Sequence, residues 1–514
     1  MILTPQQPFG RKKKSPRRLS ALTGIALVAA SAGPIPTQAA EPPAERVLID
    51  ARVSKPDPAH PVRAELRLVP VSAGADSSPA TAGYISYSRP QTGRNAKTER
   101  PVIFAFNGGP GASAAYLHMG LLGPVLAHVP QDPADTNAGA GGTLPGPSKL
   151  YDVADVVFID PPGTGFSERP AGAAGAPYST VEGDANAAAD VVRQWLTSHG
   201  RQNSPFYILG ESYGTIRAVA MLDALDRQGL AANVRGVVLL GQALNMIETS
   251  QRPDNVVTYA VSLPTLAAIA CYHGMVSTPC NPETVTDAAA SFAREDYLPA
   301  LYRGRDLPQD ERDRLAARLA ELTGIPAAFY LANDLRISKE RFRVELLRAK
   351  GKVMGRYDAR YLADRPANVT TMMPGDPSSS ISDIFGKAMT VYLGDTLKAP
   401  GADTYKVIAR FEGGWSYGAE DSPFADWPFM SVVERHAANN ACLRLFVGTG
   451  IYDTTTTIGA ADYLFAQSSL PKTRYRNKRY VGGHVFYSDD GSRARFQSDL
   501  VDFINADSCR GAQK

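Results

Sequence analysis

Phe206-Tyr207-Ile208-Leu209-Gly210-Glu211-Ser212-Tyr213-Gly214 is the stretch that decides the fold. Its four leading apolar residues read as a strand buried on both faces, and a helical pattern follows from Ile216 to Arg227. Between them stands a G-x-S-x-G motif. Strand, sharp turn and helix in that order lift a serine hydroxyl above the edge of a sheet. The glycines let the turn pack closely, and the helix N-terminus adds a field that favours developing negative charge. A lone serine in a glycine turn is structural more often than catalytic. This setting makes Ser212 a candidate nucleophile.

Working outward, strand-like runs recur at Arg63–Val71, Gly83–Ser88, Val102–Asn107, Val156–Ile159, Val237–Leu240 and Leu443–Val447. Those near 102, 156, 206, 237 and 443 read as central parallel strands. Glu182–Ser198 carries Ala188, Val191, Val192 and Trp195 at helical spacing. Strands alternating with helices predict an α/β-hydrolase fold with a mostly parallel central sheet. Residues 245–425 break the strand series with helical segments such as Ala288–Glu295 and Gln309–Leu322, and predict a largely helical cap insertion. The expected division is a leader over 1–40, core over 41–244, cap over 245–425 and the rest of the core over 426–514. The Pro-rich stretch 41–60 reads as a loose arm, and Asp132–Pro147 as a mobile surface loop.

A serine nucleophile needs a base and a group that orients the base. On this fold the chain order is Ser, acid, His. Of seven histidines, His484 sits late, in Gly482-Gly483-His484 after the strand-like Lys478–Val481. Asp453 follows Gly450 just beyond Leu443–Val447. Both lie on loops after strands, where functional groups emerge from such a sheet. His118 and His128 come too early and read as packing or surface residues. Asp502 follows the histidine and lies in a helix-like run.

An early glycine loop, Asn107-Gly108-Gly109-Pro110-Gly111, closes the Val102 run. Such a loop can offer backbone N–H groups to a carbonyl oxygen that becomes negative during attack. The fold takes a second donor from the residue after the nucleophile, so the expected oxyanion donors are the amides of Gly109 and Tyr213. A plain glycine turn is the alternative.

Composition sets the context. With 44% hydrophobic and 20% charged residues the chain is an ordinary globular sequence. The formal charge of +3 is local: Arg11, Lys12, Lys13, Lys14, Arg17 and Arg18 crowd the start. Setting these six aside leaves 48 of the 54 basic residues against 51 acidic ones, no signature of nucleic-acid binding. That basic segment, the apolar run Ala21–Ala32 and the small residues near Ala39 read as a signal peptide, implying export to the periplasm or beyond the cell. After its removal no membrane association is expected. Four cysteines allow three pairings; a local pair, Cys271 with Cys280, and a late pair, Cys442 with Cys509, are the natural choice in an oxidising compartment. No clustered ligands suggest a metal. Neither a metal nor an organic cofactor is expected.

Asn107-Gly-Gly-Pro-Gly111, Gly123-Pro124, Asp160-Pro-Pro-Gly-Thr-Gly-Phe-Ser167, Gly210-Glu-Ser-Tyr-Gly214, Asp453 and Gly483-His484 together resemble the serine carboxypeptidase family, in its bacterial branch. The resemblance implies removal of C-terminal residues from peptides. It also implies a site for the terminal carboxylate, with Asn107 and Gly108 as hydrogen-bond donors and Glu211 meeting it carboxyl to carboxyl. That apposition requires a proton and raises a pKa. Two positions depart from the family. A second Glu that supports the first is replaced by Leu121, so its support is missing or comes from elsewhere, and the usual Met after the histidine is Val485. The Leu121 change leaves an esterase or acyltransferase on the same fold as an alternative. A secreted, non-catalytic binding protein is a further one.

Overall fold

The computed structural model describes residues 44–53, 61–89, 100–135, 142–276, 280–369, 375–411, 413–418, 427–507 and 509. The leader expected over 1–40 lies outside them. Nine strands form the main sheet: β1 (Arg46–Val53), β2 (Val62–Val71), β3 (Ala80–Ser88), β4 (Val102–Phe106), β7 (Asp155–Asp160), β8 (Phe206–Glu211), β9 (Val234–Leu240), β12 (Arg444–Gly450) and β13 (Tyr475–Tyr480). Two small hairpin-like pairs, β5 (Val125–Ala127) with β6 (Thr143–Pro145) and β10 (Lys352–Met354) with β11 (Leu362–Asp364), complete the numbering. The main order is β1-β2-β3-β7-β4-β8-β9-β12-β13. Strands β7 to β13 in that order run parallel, and β1, β2 and β3 form an antiparallel flank.

Alternation along the central strands explains the layers. Phe104, Val157, Ile208, Val237 and Leu445 face one way, where they pack with Val191, Trp195, Ile216, Leu222 and Val433 from helices Val181–Ser198, Tyr213–Arg227 and Phe429–Asn439. Ile103, Phe158, Leu209, Val238 and Phe446 face the other way, against Leu117, Leu150, Phe496 and Phe503. Period-two side chains with both faces covered are why these strands read as continuous apolar runs. Between β9 and β12 the chain is chiefly helical, including Val256–Tyr272, Pro282–Phe292 and Gln309–Thr323, around a separate apolar cluster.

Two sequence expectations change. The supposed loose arm contains β1, paired antiparallel with β2. Ile49 and Val53 bury their side chains there, an alternation hidden by the surrounding prolines. The loop beginning at Asp132 is less irregular than expected, because Thr143–Pro145 pairs with Val125–Ala127; its residues 136–141 lie outside the described ones. Both disulfides form as paired from the sequence, Cys271–Cys280 and Cys442–Cys509. Among the described residues no helix is long and apolar enough to cross a membrane.

Candidate active site

Every candidate group sits at the C-terminal end of a parallel strand, where loops of an open α/β sheet converge. Ser212 separates β8 from helix Tyr213–Arg227 and holds φ 58°, ψ −126°, a conformation that costs a non-glycine residue backbone energy. Its neighbours explain how the turn closes. A Cβ on Gly210 would lie 2.1 Å from the Gly214 carbonyl oxygen, and one on Gly214 would lie 3.0 Å from that of Asn107. The Ser212 amide donates to the Leu240 carbonyl at 2.8 Å, tying the turn to β9.

His484 and Asp453 come together from the loops after β13 and β12. His484 Nδ1 and Asp453 Oδ2 are 2.7 Å apart. Asp453 is fully buried and also accepts from the amides of Thr455 at 2.7 Å and Thr456 at 3.2 Å, and from both threonine hydroxyls. Burial alone would favour the neutral acid, but the His484 charge and these hydrogen bonds outweigh it and hold the carboxyl below its ordinary value. Burial likewise disfavours a charged His484, yet the Asp453 charge, its hydrogen bond and the Glu211 charge raise the imidazole above its usual value. His484 Nε2 is buried with no hydrogen-bond partner among the described residues. The bond to Ser212 is therefore unmade here, a looseness common before substrate binds. The histidine loop is set by contact: a Cβ on Gly483 would meet the Tyr357 carbonyl oxygen at 2.2 Å, and the Gly483 amide donates to Asp358 at 3.0 Å.

The glycine loop lies directly on the Ser212 turn. A Cβ on Gly108 would come within 2.5 Å of both the Glu211 carbonyl oxygen and the Tyr213 nitrogen. Gly109 is exposed with φ 105°, and Tyr213 opens the helix, so its amide has no carbonyl four residues back inside that helix.

Glu211 is buried beneath this loop. Its Oε2 accepts from Asn107 Nδ2 at 2.7 Å and from the Tyr487 hydroxyl at 2.6 Å. Burial pushes its pKa up to about 7, against the opposing pull of the His484 charge and of the two hydrogen bonds. Leu121 is wholly buried in the apolar layer and lends Glu211 nothing. The support comes from Tyr487, which the sequence reading missed: three residues after His484, it looks like any core aromatic.

Of the early histidines, His118 is buried with Nε2 2.7 Å from the Tyr87 hydroxyl, and His128 is exposed. Asp502 is exposed on the last helix. No group of residues able to hold a metal occurs among the described residues.

Residues 86–264, from within β3 into helix Val256–Tyr272, match the model of the serine carboxypeptidase family. No curated protein matches the chain. The structure is similar to that of Kex1(delta)p, a prohormone-processing carboxypeptidase from Saccharomyces cerevisiae, at 15% identity, covering 90% of this chain and 94% of that one with a TM-score of 0.50. It also matches a thermostable carboxyl esterase from Bacillus coagulans at 12% identity, over 86% of this chain and 98% of that one, with a TM-score of 0.37.

Proposed function

We infer that this chain, whose residues 86–264 match the serine carboxypeptidase family, hydrolyses C-terminal peptide bonds through an acyl-enzyme on Ser212. The observation that carries this reading is the buried Glu211, held by Asn107 and Tyr487 beside the nucleophile turn. Both of those hydrogen bonds end on Oε2. Oε1 is left to meet a substrate carboxylate, and a proton on Glu211 lets the two carboxyl groups share a hydrogen bond. A binding site for a free C-terminus one residue from the nucleophile fits an exopeptidase and gives a simple esterase nothing.

The cycle follows from the roles. His484 Nε2 takes the Ser212 proton as Oγ attacks the scissile carbonyl carbon. The Gly109 and Tyr213 amides receive the developing oxyanion. Collapse of the tetrahedral species returns the proton to the leaving amine, and the C-terminal amino acid departs. Water, deprotonated by His484, then attacks the ester and frees Ser212. Asp453 fixes the imidazole tautomer and stabilises the imidazolium. Residues 245–425 serve as the cap over this edge, and the substrate is a peptide. The disulfides support export in an oxidising compartment, after loss of the 1–40 leader.

The test is product analysis. A purified sample incubated with a ten-residue-scale peptide should shorten it one residue at a time from the C-terminus, by mass spectrometry. Internal fragments, or loss from the N-terminus, would contradict the reading.

A further inference from the structure

We propose that Arg217 is a positioning residue for the substrate's terminal carboxylate, acting through the peptide group that joins Asn107 to Gly108. The proposal rests on the carboxypeptidase reading above and extends it to a residue that never touches substrate.

Arg217 lies on the helix that follows the nucleophile and is 1% exposed. Its Nε donates to Asp184 Oδ2 at 2.7 Å, and its Nη1 donates to the Asn107 carbonyl oxygen at 2.7 Å. The guanidinium carbon lies 5.0 Å from the Phe106 ring centre and 5.3 Å from that of Tyr213. Asp184, 2% exposed on helix Val181–Ser198, also accepts from the Tyr213 hydroxyl at 2.9 Å. The buried cation is thus neutralised where it stands, wedged between rings, with one planar donor spent on the glycine loop. A lysine cannot make both contacts from a single ammonium in that geometry.

The consequence lies on the far side of the peptide. Among the described residues the cis peptide bond is Gly109–Pro110, so Asn107–Gly108 is trans. In a trans peptide the C=O and N–H point in opposite directions. Arg217 draws the carbonyl inward and so directs the Gly108 N–H away from itself. Gly108 is buried, and its amide joins no turn, loop or side-chain hydrogen bond among the described residues. A buried amide left without a protein acceptor is uncommon and marks a place where a ligand completes the pairing. The guanidinium also polarises the peptide and strengthens the N–H as a donor to an anion. Gly214 makes room for this arrangement, since a Cβ there would lie 3.0 Å from the Asn107 oxygen.

The experiment compares Arg217→Lys and Asp184→Asn with the wild type in the full chain. Each is assayed on an N-blocked dipeptide with a free C-terminus and on its C-terminal methyl ester. A serine-directed phosphonate counts competent sites, so a folding loss is scaled out. The expected result is a fall of about tenfold in the acid-to-ester ratio of kcat/KM for Arg217→Lys, carried by KM on the acid, the size of one lost hydrogen bond to a charged group. Asp184→Asn, which keeps the cation but loosens it, should shift the ratio the same way by less, and decides the matter should Arg217→Lys not fold. Equal losses on acid and ester would overturn the proposal alone. A wild-type enzyme without preference for the acid would overturn the carboxylate-site reading and this proposal with it.

Discussion

The Tyr487 hydroxyl donates to Glu211 Oε2 at 2.6 Å, in a buried setting where Leu121 offers no polar support. A phenol differs from a second carboxyl in one respect that matters. A neighbouring carboxylate would repel negative charge on Glu211, whereas a hydroxyl stabilises it. Glu211 is raised to about 7 by burial first, with Tyr487 moderating the rise.

Tyr487→Phe removes that moderation. The pH at which preference for a free C-terminus declines should move upward, because the protonated acid is then favoured further. The ratio of kcat/KM on a dipeptide acid to that on its ester, followed against pH, measures this. An unmoved decline would mean that Tyr487 does not govern Glu211.

The wild-type pH profile has a defined sign. Glu211 carries its proton below about 7 and loses it above. Two facing carboxylates then repel, so the acid-to-ester ratio should fall as pH rises through about 7. His484, in its proposed role as base, acts in the other sense: activity on both substrates then depends on its neutral form and should grow as pH rises through its raised pKa. Rate profiles on the two substrates should therefore share the acidic limb and differ on the basic one.

Ser212→Ala should lower kcat by about 10⁴-fold or more, and His484→Ala by a comparable factor, because such groups act as a unit. The double variant should be little worse than either single one. Additive losses, measured with normal near-UV circular dichroism, would argue that the two residues act separately.

Gly108→Ala places a Cβ within 2.5 Å of backbone atoms of the Ser212 turn. Backbone cannot yield as a flexible side chain can, so the loop or the turn must move. The expected result is a loss of at least about 100-fold in kcat/KM, since small misplacements at a reacting centre cost about that much. Retained phosphonate labelling together with retained turnover would show that the loop tolerates the methyl group.

The disulfides should differ in worth. Cys442–Cys509 closes 67 residues and Cys271–Cys280 closes nine. Chain-entropy reasoning gives about 4 kcal/mol for the first and about 2.5 kcal/mol for the second. Urea titration of the two paired Cys→Ser variants should rank them in that order, and the reverse order would show that native-state contacts dominate.

Much of this was legible in the sequence for a physical reason. A strand buried on both faces is apolar along most of its length, so β4, β7, β8, β9 and β12 announce themselves as apolar runs with polar residues only at or near their ends. Loops that approach backbone closely need glycine, so Gly108, Gly210 and Gly483 mark the turns around the site. Other features leave no local trace. β1 is an edge strand with one buried stripe amid prolines, and reads as coil. Tyr487 is polar in only one atom. Arg217 and Asp184 stand 33 positions apart on separate helices, and only packing brings them to 2.7 Å.

The most direct test of the central claim is a paired assay of the purified protein at about pH 5.5, below the titration of an imidazole and of a raised carboxyl. One substrate is an N-blocked dipeptide with a free C-terminus, the other its C-terminal amide. A carboxylate site at Asn107, Gly108 and Glu211 predicts kcat/KM on the acid at least about 100-fold above that on the amide, as expected when a site built for a polar group is left unpaired. Equal rates on the two would contradict the account and place the same nucleophile in a broader acyl hydrolase.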